Sequence, residues 1–213
     1  MNERSFINVY LHKDLYMRTR DADKEKLVIE KATEQIVKDG LQGFSMNKLA
    51  KACNISVATL YIYYKDKDDL IIQLGTQIGG RFFSTAIKDF SADMSFKDGL
   101  WKQWENRAAF AIANPIEVKC FEAMKHTPYA DAIMKSGLLH DFKELLDGFM
   151  KNAIRNNELI ELPLDVFWSI AYGPLYTLLN FHREGKSLGN KPFSLTQDKM
   201  KQAFEPVIKA LTP

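Results

Sequence analysis

An all-α fold is predicted for this 213-residue chain, with a small N-terminal three-helix domain ahead of a larger helical one. Three observations predict it. Apolar residues recur at three- and four-residue spacing through every long segment. Breakers such as Gly40, Asn54, Asn114-Pro115, Pro128, Asn156-Asn157 and Gly185 fall between those segments. No stretch alternates apolar and polar residues in the manner of a half-buried strand.

Residues 1–20 form an N-terminal extension that is basic through Arg4, His12, Lys13, Arg18 and Arg20. A first helix follows over about 22–39, burying Val28, Ile29, Ala32, Ile36 and Val37. Gly40 stops it, because glycine accepts the left-handed backbone that ends helices. Residues 45–70 are the most informative part of the chain. Leu49, Ala50 and Cys53 make a short apolar stripe, and Ala50 is small enough for a second helix to cross closely. Asn54 suits a left-handed turn residue, Ile55 plugs the corner, and Ser56 is placed to cap the next helix. There Leu60 faces inward, while Val57, Ala58, Thr59, Tyr61 and Tyr63 are left for another surface. Small, hydroxylated and aromatic side chains on a helix flanked by Lys48, Lys51, Lys65 and Lys67 suit the major groove of DNA. The basic extension then reads as an arm for the minor groove or as a loosely docked terminus.

Asp66 is a good N-cap for a fourth helix with Leu70, Ile71, Leu74, Ile78 and Phe82 on one side. Gly79 and Gly80 interrupt it, which predicts a bend or close packing. Beyond Ser91 the chain reads as helix throughout: 96–113, 117–126, 129–156 with a break near Gly137, 164–184 and 194–211.

The overall formal charge of +2 is low for a nucleic-acid binder, but residues 45–67 hold four lysines against Asp66 alone. The pattern favours local phosphate anchoring. Cys53 and Cys120 are far apart in apolar contexts, so reduced thiols and a cytoplasmic location are expected. The longest run free of Asp, Glu, Lys and Arg, Val166 to His182, is 17 residues and contains Ser, Gly, Pro, Thr and Asn. It is shorter than the ~20 apolar residues a spanning helix needs.

The segment Ser45 to Leu70 resembles the helix-turn-helix of TetR-type transcriptional regulators. The matching residues are Ser45, Leu49, Ala50, Ile55, Ser56, Thr59, Leu60, Tyr61, Tyr63, Tyr64, Lys67 and Leu70. Cys53-Asn54 replaces the usual Ala-Gly of the turn, and Ala58 replaces a glycine before Thr-Leu-Tyr. The resemblance implies a DNA-binding domain over 21–68 and a helical effector-binding and dimerisation domain over 69–213, joined by the fourth helix. It further implies a homodimeric repressor on a palindromic operator, with half-sites one DNA turn apart, released by a small apolar or aromatic effector.

DNA contacts are expected at Ser45, Asn47, Lys48, Ser56, Val57, Ala58, Thr59, Tyr61, Ile62, Tyr63 and Lys67. By resemblance Thr59 and the tyrosines hold phosphates, Asn47, Val57, Ala58 and Ile62 approach bases, and Lys67 clamps a phosphate. Tyr64 is expected to be core. An effector chamber is expected among Trp101, Trp104, Phe121, Met124, Phe142, Trp168, Tyr172 and Tyr176, although the same aromatics also suit a plain core. A helix apolar on most sides needs several neighbours, so Phe167, Ile170, Pro174, Leu178, Phe181, Phe204, Val207 and Leu211 are candidates for a dimer interface.

No cofactor or metal is expected. Glu122/His126 and His140/Glu144 are spaced four apart and lack the further ligands of a metal bundle. There is no nucleophile elbow, phosphate loop or dinucleotide fingerprint. An all-α enzyme or metal-binding bundle is the alternative reading.

Overall fold

The computed structural model describes the backbone of residues 3–137 and 139–213, with side chains from residue 22 onward. The described residues form ten α-helices: α1 (Glu3–Gly43), α2 (Met46–Ala52), α3 (Val57–Tyr63), α4 (Lys67–Ala86), α5 (Phe96–Ala113), α6 (Pro115–Met124), α7 (Pro128–Lys135), α8 (His140–Arg155), α9 (Leu164–Glu184) and α10 (Gln197–Leu211). No strand occurs among the described residues; an isolated bridge between Lys186 and Pro192 closes the loop before α10. The side chains of the N-terminal extension, including those expected to form an arm, lie outside the described residues.

Local chemistry sets the helix ends. Gly40 breaks the α1 geometry with φ 71° and ψ 170°, at the stop signal the sequence carries. Ser95 caps α5 by accepting the Asp98 N–H while its hydroxyl donates to the Asp98 carboxylate. Pro115 opens α6, where a missing N–H costs nothing. Gly137, at φ 82°, separates α7 from α8, and Gly185, at φ 69°, ends α9. Thr196 caps α10, which therefore begins three residues later than the sequence pattern suggested. Helix α4 runs unbroken through Gly79 and Gly80.

The chain folds as two compact units. The first takes residues 1–75 together with 119–133. Its core contains Val28, Ala32, Ile36, Phe44, Leu49, Leu60, Tyr64, Leu70 and Leu74, all buried. Segment 119–133 docks on the start of α4. The Tyr129 hydroxyl donates to the Asp68 carboxylate at 2.6 Å. Met124 and Ile133 lie so close over Gly75 that a Cβ there would stand 2.2 Å from Ile133 Cδ1.

The second unit takes residues 76–118 and 134–213. Helix α5 packs against α8 and α9, and α9 against α10. Leu100, Trp104, Phe149, Phe167, Ala171, Leu175, Phe204 and Leu211 fill its centre. Trp104 is fully buried, donates its Nε1–H to the Ala171 carbonyl at 2.8 Å, and meets Phe204 edge-on.

Burial pushes the phenols of Tyr64 and Tyr172 up to about 12, and the hydrogen bond to Asp68 does the same for Tyr129. A raised phenol pKa means the folded chain favours the neutral form. The associated stability is complete below the unfolded value of about 10 and is lost as pH climbs toward 12. A 295 nm absorbance titration should show these three tyrosines ionising above the usual phenol range, together with the loss of helical ellipticity.

Candidate nucleic-acid interface and effector cluster

Helices α2 and α3 are each a short seven-residue segment whose placement is fixed by the turn between them. Asn54 takes φ 53°, a conformation β-branched residues avoid. The turn is closed by Asn54 N–H to Lys51 O at 3.2 Å and Ile55 N–H to Ala50 O at 3.0 Å. The Ser56 side chain then accepts the Thr59 N–H at 3.1 Å, and its oxygen lies 2.8 Å from the Thr59 hydroxyl. Ala50 and Leu60, 2% and 0% exposed, are the inward contacts of this pair. Ser56→Ala should cost about 1 kcal/mol of stability, the usual value of an N-cap, readable as a lower urea midpoint at unchanged slope.

With Leu60 and Tyr64 turned inward, α3 presents its remaining face to solvent. Ile62 is 76% and Tyr61 52% exposed, and Ala58, Asn47, Lys48 and Ser56 are also exposed. Val57, Thr59, Tyr63 and Ser45 are half-buried. The Ser45 side chain makes no cap bond to α2. The small residue Ala58 and the isoleucine four positions on share one exposed stripe, and exposed Lys48, Lys51 and Lys65 flank it.

Two lysines are engaged. Lys48 Nζ lies 3.1 Å from the Asp39 carboxylate, an exposed pair of the kind worth little and easily exchanged. Lys67 Nζ donates to the Leu41 carbonyl at 3.0 Å and sits 5.8 Å from the centre of the Phe44 ring. Its charge thus serves the carbonyl end of α1 in this arrangement, in place of the open phosphate position expected for it.

The residues expected around an effector separate. Met124 packs beside Gly75 in the first unit, which also holds Phe121. Trp101 and Trp104 both pack on Phe204. Phe142, Trp168, Tyr172 and Tyr176 instead gather around Arg107, which the sequence reading passed over. Arg107 is 1% exposed. Its guanidinium carbon lies 4.2 Å from the Tyr172 ring centre, 5.1 Å from Trp168, 5.4 Å from Phe82 and 5.5 Å from Phe142. Its Nη1 donates to the Tyr176 hydroxyl at 2.7 Å and its Nη2 reaches Gln103 Oε1 at 3.4 Å, which also accepts the Tyr172 hydroxyl at 2.7 Å. Among the described residues no carboxylate pairs with Arg107, and its Nε and the neighbouring Gln103 Nε2 are buried without a hydrogen-bond partner. Burying a cation costs on the order of several kcal/mol; ring faces offset part of it. A signal existed: Arg107 stands between Trp104 and Phe110, inside an apolar stripe where a solvated arginine would not fall.

The expected dimer residues also divide. Phe167, Phe204, Val207 and Leu211 are buried within the second unit's own core, which removes them from any surface. Ile170, Pro174, Leu178 and Phe181 stay half-buried on α9. His140 and Glu144 form an exposed pair at 3.6 Å. No helix among the described residues is long and apolar enough to cross a membrane.

Residues 28–74 match the profile of bacterial regulatory proteins of the tetR family. An uncharacterised HTH-type transcriptional regulator from Haemophilus influenzae is 27% identical over 171 residues, 80% of this chain and 87% of that protein. A TetR family transcription regulator from Marinobacter aquaeolei shares the fold with a TM-score of 0.78 at 22% identity, over 92% of this chain and 98% of that one. A Bacillus subtilis transcriptional regulator crystallised with stearoyl-CoA shares it at 0.65 and 17% identity, over 87% and 96%.

Proposed function

This chain belongs, through residues 28–74, to the TetR family of bacterial regulatory proteins, and from that premise we propose a homodimeric repressor that binds a palindromic operator and is released by a small effector. The exposed stripe of α3, held outward by buried Leu60 and Tyr64, is the observation that carries the reading. In this reading the DNA-binding domain spans 21–68 and the effector-binding and dimerisation part is drawn from 69–213, of which 69–75 and 119–133 pack with the first compact unit. Val57, Ala58, Ile62 and Asn47 face base edges, where the apolar groups suit thymine methyls and Asn47 suits adenine. Thr59, Tyr61, Tyr63, Ser45, Ser56 and Lys48 hold phosphates, and Lys67 joins them once its carbonyl contact exchanges. Half-buried Ile170, Pro174, Leu178 and Phe181 are among the apolar residues of α9 available to a twin subunit.

The effector has an apolar or aromatic part, a reading supported by the aromatic side chains of the second unit and by the stearoyl-CoA of the Bacillus regulator. It acts by binding more tightly to a dimer geometry that misaligns the two reading heads, and it shifts that equilibrium only by its difference in affinity. Such a regulator works in the cytoplasm, beside the chromosome. Fluorescence anisotropy with the protein's own upstream DNA tests the proposal. Binding should prefer that sequence over scrambled duplex and weaken linearly on a log–log salt plot; equal affinity for both duplexes overturns it.

A further inference from the structure

We propose that Arg107 is the head-group receptor of the effector site and that the effector is a monocarboxylate with an apolar tail. The inference rests on the effector-binding part of the reading above.

The geometry of the guanidinium supports it. Nη1 is occupied by the Tyr176 hydroxyl at 2.7 Å, Nη2 makes a 3.4 Å contact to Gln103, the guanidinium also interacts with the Tyr172 phenol, and Nε has no partner. Nε and Nη2 form one edge of the planar fork. That edge takes the two oxygens of a carboxylate side-on, in two parallel charge-assisted hydrogen bonds. Gln103 Nε2, buried and unpartnered beside it, supplies a third donor to the same anion. The ring faces of Tyr172, Trp168, Phe82 and Phe142 hold the cation without neutralising it, so a full positive charge remains for a ligand. A structural arginine sealed in a core would have a carboxylate of its own chain; the described residues give Arg107 none.

Trp168 connects this cluster to the outside. One side of it faces the guanidinium, and the same residue lines an open groove of about 570 Å³ with Leu164, Asp165 and Ser169. Entry from groove to guanidinium requires the half-buried indole to rotate off its ring contacts with Tyr172 and Phe142. Exposed Asp165 repels an acid head at the groove and Arg107 attracts it within, so the acid lies head-in with its tail along Trp168 and Leu164.

Calorimetric titration of the full-length protein with decanoate, phenylacetate and their methyl esters tests the proposal. At least one acid should bind about tenfold or more tighter than its ester, the difference two charge-assisted bonds supply. Arg107→Met should bind acid and ester alike. Gln103→Glu gives the guanidinium an internal carboxylate; it should raise the unfolding temperature and weaken acid binding about tenfold or more. This second variant decides the matter if Arg107→Met does not fold. The proposal is overturned if neither acid binds, if the ester binds as well as the acid, or if the acid preference survives in the variants. An Arg107-dependent acid site in a protein without sequence-preferring DNA binding would sink the regulator reading and leave this one standing. Release from DNA by an uncharged compound, with no acid preference, would do the reverse.

Discussion

Replacing Ala58 with glutamate should weaken binding to the upstream duplex by roughly 100-fold or more, since a like charge brought into a complementary interface costs several kcal/mol. Ala58 is exposed in the first turn of α3, where a carboxylate is compatible with the positive end of the helix and touches no core residue. The thermal midpoint should therefore move by no more than a degree or two, about the range of a surface substitution. Ile62→Glu, one turn further along the same stripe and 76% exposed, should behave alike. Anisotropy titrations beside circular dichroism melts read both quantities. If either variant keeps wild-type affinity while folded, α3 does not enter the groove.

The largest effect on stability is expected at Trp104. Its indole is fully buried where α5, α9 and α10 meet, hydrogen-bonded to the Ala171 carbonyl and edge-on to Phe204. Trp104→Ala should remove about 3–5 kcal/mol of unfolding free energy, the range for deleting a large buried aromatic. That loss is a large fraction of the roughly 5–15 kcal/mol that holds a domain together. Trp104→Phe retains most of the volume and loses the hydrogen bond, so its cost should be markedly smaller. Urea denaturation followed by far-ultraviolet circular dichroism separates the two. Equal midpoints for Trp104→Ala and the parent chain would contradict the packing described for this unit.

Much of the fold was legible because its punctuation is chemical. Asn114-Pro115, Pro128 and Gly185 stand at helix limits that follow from backbone requirements alone. The reading head was legible for the same reason: a left-handed asparagine, a serine cap and one inward leucine determine which face of α3 is free. Periodicity fails where the question is what covers a face. It marks Phe204, Val207 and Leu211 as buried but does not distinguish α9 of the same chain from a twin subunit. It groups Met124 with the other large apolar side chains, although three-dimensional packing assigns it to the first unit. A polar residue in an apolar stripe, as at Arg107, breaks the pattern, and only coordinates reveal whether a partner waits for it.

The docking of residues 119–133 on the start of α4 bears on how this regulator can be re-engineered. Met124 and Ile133 over Gly75, with Tyr129 on Asp68, roof the scaffold from a distant stretch of sequence. The reading head is therefore not a portable cassette. A chimera grafting residues 1–75 onto a foreign body would leave Gly75 and its neighbours bare and prone to self-association, unless the donor's 119–133 travelled with them.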